Sequence, residues 1–349
     1  MKNISFIVGT RPQIIKSQPV IKYLLNKKMN VNIIHTGQHF DYRLSKIFFN
    51  DLEIPKVTKN LNVGKNSAVK QIADIIVKLE KYFQKNKPDL VIIPGDTTSA
   101  LAASIVTSKL KIKSAHLEAG ARSNQFYMAE EINRRMIDHS SNFLLAPTKN
   151  CLNNLRNEHV FGESYFVGDT MFDLFLDWKK KNKLQKYNNT ANQIFMTIHR
   201  AENIDNKMNL KQICLFINKL SKKFQITFPM HPHTQNQIKK YNFKINANII
   251  SPLKYTDLMK KINDSNLVIT DSGGLQKEAY WMQKPCITIR ESTEWLETIS
   301  EKANYLMSIN KPFSLKRIKK IASLKVKTKK SLFGSGKASS NIYNIIKKI

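Results

Sequence analysis

From end to end the chain alternates short runs rich in β-branched residues with longer stretches of helical periodicity, and this rhythm runs through it twice. In the first pass residues 4–8, 31–35, 90–93, 114–117, 143–146 and 165–167 read as strands. Between them residues 13–25, 68–83, 99–110 and 131–139 carry apolar side chains at helix spacing. After Gly168 the alternation restarts. Strands are expected at 194–197, 225–228, 248–250, 267–270 and 286–289, and helices at 207–222, 256–262 and 275–281. Parallel neighbours need a long crossover, so a strand–helix–strand series is the unit of a parallel sheet. Two such series predict an α/β protein of two doubly wound, Rossmann-like domains, residues 1–168 and 169–334. Residues 176–192 form a polar, Lys/Asn-rich connecting stretch. After Lys325 the tail is basic to Lys330, then turns through Gly and Ser into a short helix.

The composition supports a globular reading. Apolar residues make up 42% of the 349, too many for a disordered chain, and no uncharged apolar run reaches the roughly 18 residues of a membrane span. The net charge of +31 raises the question of nucleic acid. The excess is almost all lysine, with only nine Arg in the chain, and accompanies a high Asn and Ile content. A solvated lysine surface explains it, and no basic helix with interleaved aromatics is present, so no nucleic-acid partner is expected. Three widely spaced cysteines, Cys151, Cys214 and Cys286, fit neither a disulfide framework nor a zinc knuckle. The N-terminal apolar run is too short for an export signal, and a cytoplasmic protein is expected.

The chemistry-bearing residues share one topological position. Gly9-Thr10-Arg11-Pro12, Thr36-Gly37-Gln38-His39, Gly95-Asp96-Thr97 and Glu118-Ala119-Gly120 each follow an expected strand. So do His199-Arg200, His231-Pro232-His233 and Asp271-Ser272-Gly273-Gly274. Open α/β sheets bind ligands at the carboxyl ends of their strands, which places an active site in a cleft between the two domains. Arg11 and Lys16, one turn apart at a helix start, suit phosphate; they equally suit a solvated helix end. Ser272, Gly273 and Gly274 let an anion approach backbone N–H groups, and Glu278 is one turn on. Asp96, Glu118 and the Glu130-Glu131 pair are candidate acids and bases, although each alone would serve as a helix cap or ion-pair partner. His199, beside Arg200, suits general-acid help to a departing phosphate. A metal held by His199, His231 and His233 is not expected, because H-P-H presents its rings poorly to one ion; no other cofactor is implied.

Together and in order, GTRPQIIK, TGQHFD, PGDTTSALAAS, HLEAGARS, EEINRRMIDH, APT, VGDTMFD, TIHRAEN, MHPHT, TDSGGLQKEA and RESTEW resemble the non-hydrolysing UDP-N-acetylglucosamine 2-epimerase family over essentially the whole chain. The resemblance implies the two-domain architecture of B-type glycosyltransferases, with a C-terminal helix (about 335–349) packing back on the first domain. It implies UDP elimination across C1–C2 of a UDP-sugar and re-addition with the proton delivered to the other face, in the service of surface polysaccharide synthesis, by a homodimer. By motif, Asp96, Glu118 and Glu130 match the family's catalytic carboxylates and His199 the residue near the diphosphate. Arg11 and Lys16 match its first-domain basic pair, and Ser272, Gly273, Gly274 and Glu278 its UDP cradle. Three positions depart from the pattern: Ala129 replaces a proline, FDYRL follows GQH where some members bind an activating UDP-sugar, and Trp295 stands where T-E-R-P-E members carry a phosphate-contacting Arg. The last departure makes Arg290, or a lysine, the expected replacement. QKEA, TEW and FGSGKAS look most like the subgroup acting on UDP-2,3-diacetamido-2,3-dideoxy-glucuronate. A glycosyltransferase or a hydrolysing epimerase on the same fold is the more distant alternative.

Overall fold

A computed structural model describes residues 2–38, 53–182, 192–329 and 331–349. The FDYRL loop, His39 and most of the polar stretch after Leu176 lie outside the described residues. The first sheet contains β1 (Asn3–Val8), β2 (Asn30–His35), β3 (Lys59–Asn60), β4 (Leu90–Pro94), β5 (Ser114–Leu117), β6 (Phe143–Ala146) and β7 (Glu163–Phe166). Its order is β3-β2-β1-β4-β5-β6-β7, with parallel pairing throughout. The second contains β8 (Gln193–Thr197), β9 (Gln225–Pro229), β10 (Asn248–Ile250), β11 (Leu267–Thr270), β12 (Cys286–Thr288) and β13 (Asn304–Leu306). Its order, β10-β9-β8-β11-β12-β13, is again parallel. Each sheet reverses its winding once, between β1 and β4 and between β8 and β11. Chains leave these neighbouring strands in opposite directions, so a crevice opens at their carboxyl ends.

The near-continuous apolar runs follow from this topology. Central strands such as β1, β4 and β11 are covered by helices on both faces, so Ile4, Phe6, Ile7, Val91, Ile92, Val268 and Ile269 are all buried. The strands missing from the sequence reading are the short edges β3 and β13, two and three residues long. Helices Lys149–Asn157, Pro232–Lys240 and Leu315–Ala322 were also illegible, because each buries only two side chains, one turn apart, in an otherwise polar segment.

Two compact units emerge, 1–177 with 330–349, and 178–329. The first therefore runs past the expected end at Gly168. The reason is local: the Asp169 N–H donates to the Phe333 carbonyl at 3.0 Å. Asp173 accepts from the backbone N–H groups of Ala338 and Ser339 at 3.1 and 2.8 Å. A carboxylate from one helix thus satisfies the open N-terminus of the helix Ala338–Lys348. Gly168 and Gly334, both at positive φ, meet backbone to backbone; a Cβ on Gly334 would lie 2.8 Å from the Gly168 Cα. VGDT and FGSG are the two halves of that contact.

Candidate active site

At the β1/β4 reversal, three of the strand-end motifs interlock. Gly9 is there for space, since a Cβ would stand 2.2 Å from Ser99 Oγ and 2.3 Å from Thr36 Oγ1. Those two hydroxyls lie 2.8 Å apart, and Ser99 Oγ donates to Gln38 Oε1 at 2.6 Å. Gln13 spans the crevice: its Oε1 accepts from Gly9 N at 2.9 Å and its Nε2 donates to the Pro94 carbonyl at 2.8 Å. Arg11, half-buried, is the first residue of the helix Arg11–Asn26.

The carboxylates follow. Glu118 leaves β5 with φ +75°, a left-handed conformation that costs a non-glycine residue about 1–3 kcal/mol and tends to mark functional positions. Its Oε2 lies 2.5 Å from Lys16 Nζ. Lys16, expected to serve phosphate beside Arg11, is thus engaged with a carboxylate, and its Nζ lies against the Gly95 backbone next to Asp96. Asp96 is ion-paired with Arg134 at 2.5 Å, and its carbonyl accepts from Asn133 Nδ2 at 2.9 Å.

The Glu130-Glu131 pair divides its labour. Glu131 is 0% exposed and accepts from Ser123 N and Oγ at 2.8 and 2.9 Å and from Arg134 and Arg135 at 3.2 Å. Glu130, in the first turn of the helix Ala129–Ser140, is half-exposed and accessible for chemistry.

A buried ionic network holds this half of the site. His116 Nδ1 meets Asp138 at 2.6 Å while its Nε2 meets the Gly95 carbonyl at 2.9 Å. Asp138 also pairs with Arg122 at 2.7 Å and accepts from Gly120 N at 3.1 Å. Arg122 and Arg135 both pair with Glu158. Burial pushes the Asp138 carboxyl up, but His116 and Arg122 outweigh it and hold it below the usual carboxylate range. Glu158 is likewise lowered, burial being outweighed by Arg122 and Arg135.

At the β8/β11 reversal the spanning group is Asp271, 0% exposed. Its carboxylate accepts from His199 N at 3.0 Å, Arg200 N at 2.9 Å and Asn203 Nδ2 at 3.0 Å. Its Oδ1 also lies 3.3 Å from His199 Nδ1. The His199 side chain remains 46% exposed, a braced imidazole open to a ligand. Thr234 Oγ1 donates to the Ile198 carbonyl at 3.0 Å, tying MHPHT to the same turn. His233 instead pairs with Asp205 at 2.7 Å.

Ser272, Gly273 and Gly274 are half-buried at the start of the helix Gly273–Trp281. A Cβ on Gly273 would make only ordinary contacts, 3.5 Å from Trp295 Nε1 and 3.8 Å from Glu294 Oε2. Packing does not demand glycine there, so its use for close ligand approach stays open. Glu278 is buried on the next turn. Arg290 is buried and bound bidentately by Glu294, at 2.9 and 3.1 Å.

The sequence reading gave no role to Gln13 or Arg134 and named Asp271 only within its strand-end motif; Gln13 joins the Gly9 and Pro94 strand ends, Arg134 pairs with Asp96, and Asp271 orders the His199 turn. Arg134 left a signal in its i,i+3 spacing from Glu131 in EEINRR, and Asp271 in its place directly after a strand.

Residues 23–347 match the family model for UDP-N-acetylglucosamine 2-epimerase. The chain is 39% identical to a UDP-N-acetylglucosamine 2-epimerase of Methanocaldococcus jannaschii, covering 98% of each. It is 35% identical to the UDP-2,3-diacetamido-2,3-dideoxy-D-glucuronate 2-epimerase of Pseudomonas aeruginosa, covering 98% of this chain and 99% of that one. Among solved structures, the M. jannaschii UDP-GlcNAc 2-epimerase in complex with UDP-GlcNAc and UDP is similar with a TM-score of 0.92 and 37% identity, over 99% of this chain and 100% of that one.

Proposed function

The chain belongs to the UDP-N-acetylglucosamine 2-epimerase family, and we propose that it interconverts UDP-N-acetylglucosamine and UDP-N-acetylmannosamine by eliminating and re-adding UDP, without hydrolysis. The observation that carries this reading is the gathering of Asp96 and Glu118, each ion-paired with a buried or half-buried cation, at neighbouring strand ends, with Glu130 accessible at a nearby helix start.

The C2–H of an amino sugar is a very weak acid, so its removal has to be coupled to departure of the leaving group. A carboxylate takes the C2 proton, the C–H electron pair becomes the C1=C2 bond, and the C1–O bond breaks with its pair leaving on UDP. The N–H groups at Ser272–Gly274 and the braced His199 suit the diphosphate as it gains charge. Arg11 is assigned to the diphosphate and Glu278 to the ribose hydroxyls. In the return step UDP re-adds at C1 while a second carboxyl delivers a proton to C2 from the opposite face. Lys16 serves this scheme as the partner of Glu118. Arg290, held by Glu294, serves it by ordering the TEW segment.

The P. aeruginosa relative, together with the QKEA, TEW and FGSGKAS segments, supports a second reading, the same reaction on UDP-2,3-diacetamido-2,3-dideoxy-glucuronate. Either product would feed surface polysaccharide synthesis, and we take the enzyme to be a cytoplasmic homodimer, in keeping with its nucleotide-sugar substrate and with three buried cysteines held as thiols. No helix among the described residues is long and apolar enough to cross a membrane. Side-by-side incubation with the two UDP-sugars, with products identified by NMR, tests the proposal. The manno epimer from UDP-N-acetylglucosamine supports the first reading; turnover of the uronate alone replaces it with the second. Stoichiometric release of UDP with free sugar rejects both.

A further inference from the structure

The helix Gly273–Trp281 carries a lysine where a lysine is hardest to keep. Lys277 is 0% exposed, and its Nζ lies 3.9 Å from the ring centroid of Trp295 and 5.9 Å from that of Trp281. Removing an ammonium from water is costly unless other groups compensate, and an aromatic face is one such group. Trp295 is itself buried, and its backbone N–H donates to the Thr293 hydroxyl at 3.1 Å. The indole is therefore fixed from the backbone side by Thr293 and from its face by a cation.

The edge of that indole comes to the start of the same helix. Its Nε1 is 3.5 Å from where a Cβ on Gly273 would stand, and Glu294 Oε2 is 3.8 Å from the same point. Glu294 is neutralised by its bidentate pairing with Arg290. A group resting against the bare backbone of Gly273 thus meets an indole N–H edge beside a compensated carboxylate. A cation on the ring face draws electron density from the indole and makes that N–H a stronger donor.

We infer that Trp295 is a substrate-binding residue, its indole N–H contacting the UDP diphosphate, and that Lys277 is the positioning residue that holds and polarises the indole. The inference rests on the proposed UDP site at Ser272–Gly274. It assigns to Lys277 the task expected of Arg290, carried out through an aromatic ring.

UDP titration of the full-length protein, followed by calorimetry and by tryptophan emission, tests it. In the wild type, UDP changes the emission. Trp295→Phe keeps the ring over Lys277 but removes the N–H; it is expected to abolish that change and weaken UDP about ten- to a hundredfold, the worth of one hydrogen bond to a charged group. Lys277→Met weakens UDP to a similar extent and Lys277→Arg restores it, whereas Trp281→Phe keeps both affinity and signal. Should Lys277→Met fail to fold, Trp295→Phe decides alone. Wild-type UDP affinity in Trp295→Phe, with binding lost in Gly274→Val, overturns the inference and leaves the site standing. Unchanged affinity in Gly274→Val overturns the site itself.

Discussion

Glu118 shows most directly how single residues carry the account. It holds a left-handed backbone, keeps its carboxylate 2.5 Å from Lys16, and lies one strand from the Gly95–Asp96 turn. The strain is affordable because the neighbouring contacts over-determine it: Glu118 N and Ala119 N both donate to the Leu145 carbonyl, and Gly120 N to Asp138. Glu118→Gln preserves shape and removes one of the carboxylates that the proposed reaction uses for proton transfer. Turnover should fall by about 10²- to 10⁴-fold while UDP affinity stays at the wild-type value, measured by steady-state kinetics and calorimetry. A parallel loss of UDP affinity would make Glu118 a binding residue instead. Asp271 has the complementary role in the second unit, where one buried carboxylate orders the His199 turn.

At the scale of elements, the helix Ala129–Ser140 is joined to β5 and to the helix Lys149–Asn157 by charge. Asp138 meets His116 of β5, and Arg135 meets Glu158 at the end of the next helix. Both carboxyls have folded-state values depressed below their ordinary ones. Their contribution is therefore complete above the unfolded carboxylate value of about 4 and is lost as pH falls through the lower folded values. Chemical denaturation across pH 2–7 should show stability dropping below about pH 4, with a shallower acid limb in Glu158→Gln. Identical limbs would remove Glu158 from the network.

This is also the scale at which the sequence was most legible. The central strands announce themselves because burial on both faces leaves only apolar residues, as in LVIIP and LVIT. β3 and β13, at the edges, carry no such run. Most candidate groups, Asp271 among them, could be found because they follow a strand directly or lie in the first turns of a helix. The roles of Gln13, Arg134 and Asp271 could not, since their partners lie far off in the chain: Gln13 reaches Pro94, Arg134 reaches Asp96, and Asp271 reaches His199. Lys16 was legible as a cation at a helix start, but its partner Glu118, 102 positions on, was not.

Over the whole molecule, the chain builds the same device twice. A parallel sheet reverses its winding, and one polar side chain spans the crevice: Gln13 in the first unit, Asp271 in the second. Around the first gather carboxylates, and around the second an open histidine and a glycine-rich helix start. The +31 charge is mainly a lysine surface; among the cations close to the chemistry, Lys16 pairs with Glu118, Arg134 with Asp96 and Glu131, and Lys277 lies over the ring of Trp295. The central claim is that the first set moves the C2 proton while the second holds UDP, which remains available for re-addition. It is tested most directly by running the reaction in deuterated water and observing the C2 position by NMR. The account predicts one deuterium at C2 in both epimers at equilibrium, with the UDP-sugar intact. An epimer that forms with its original hydrogen at C2 would contradict it.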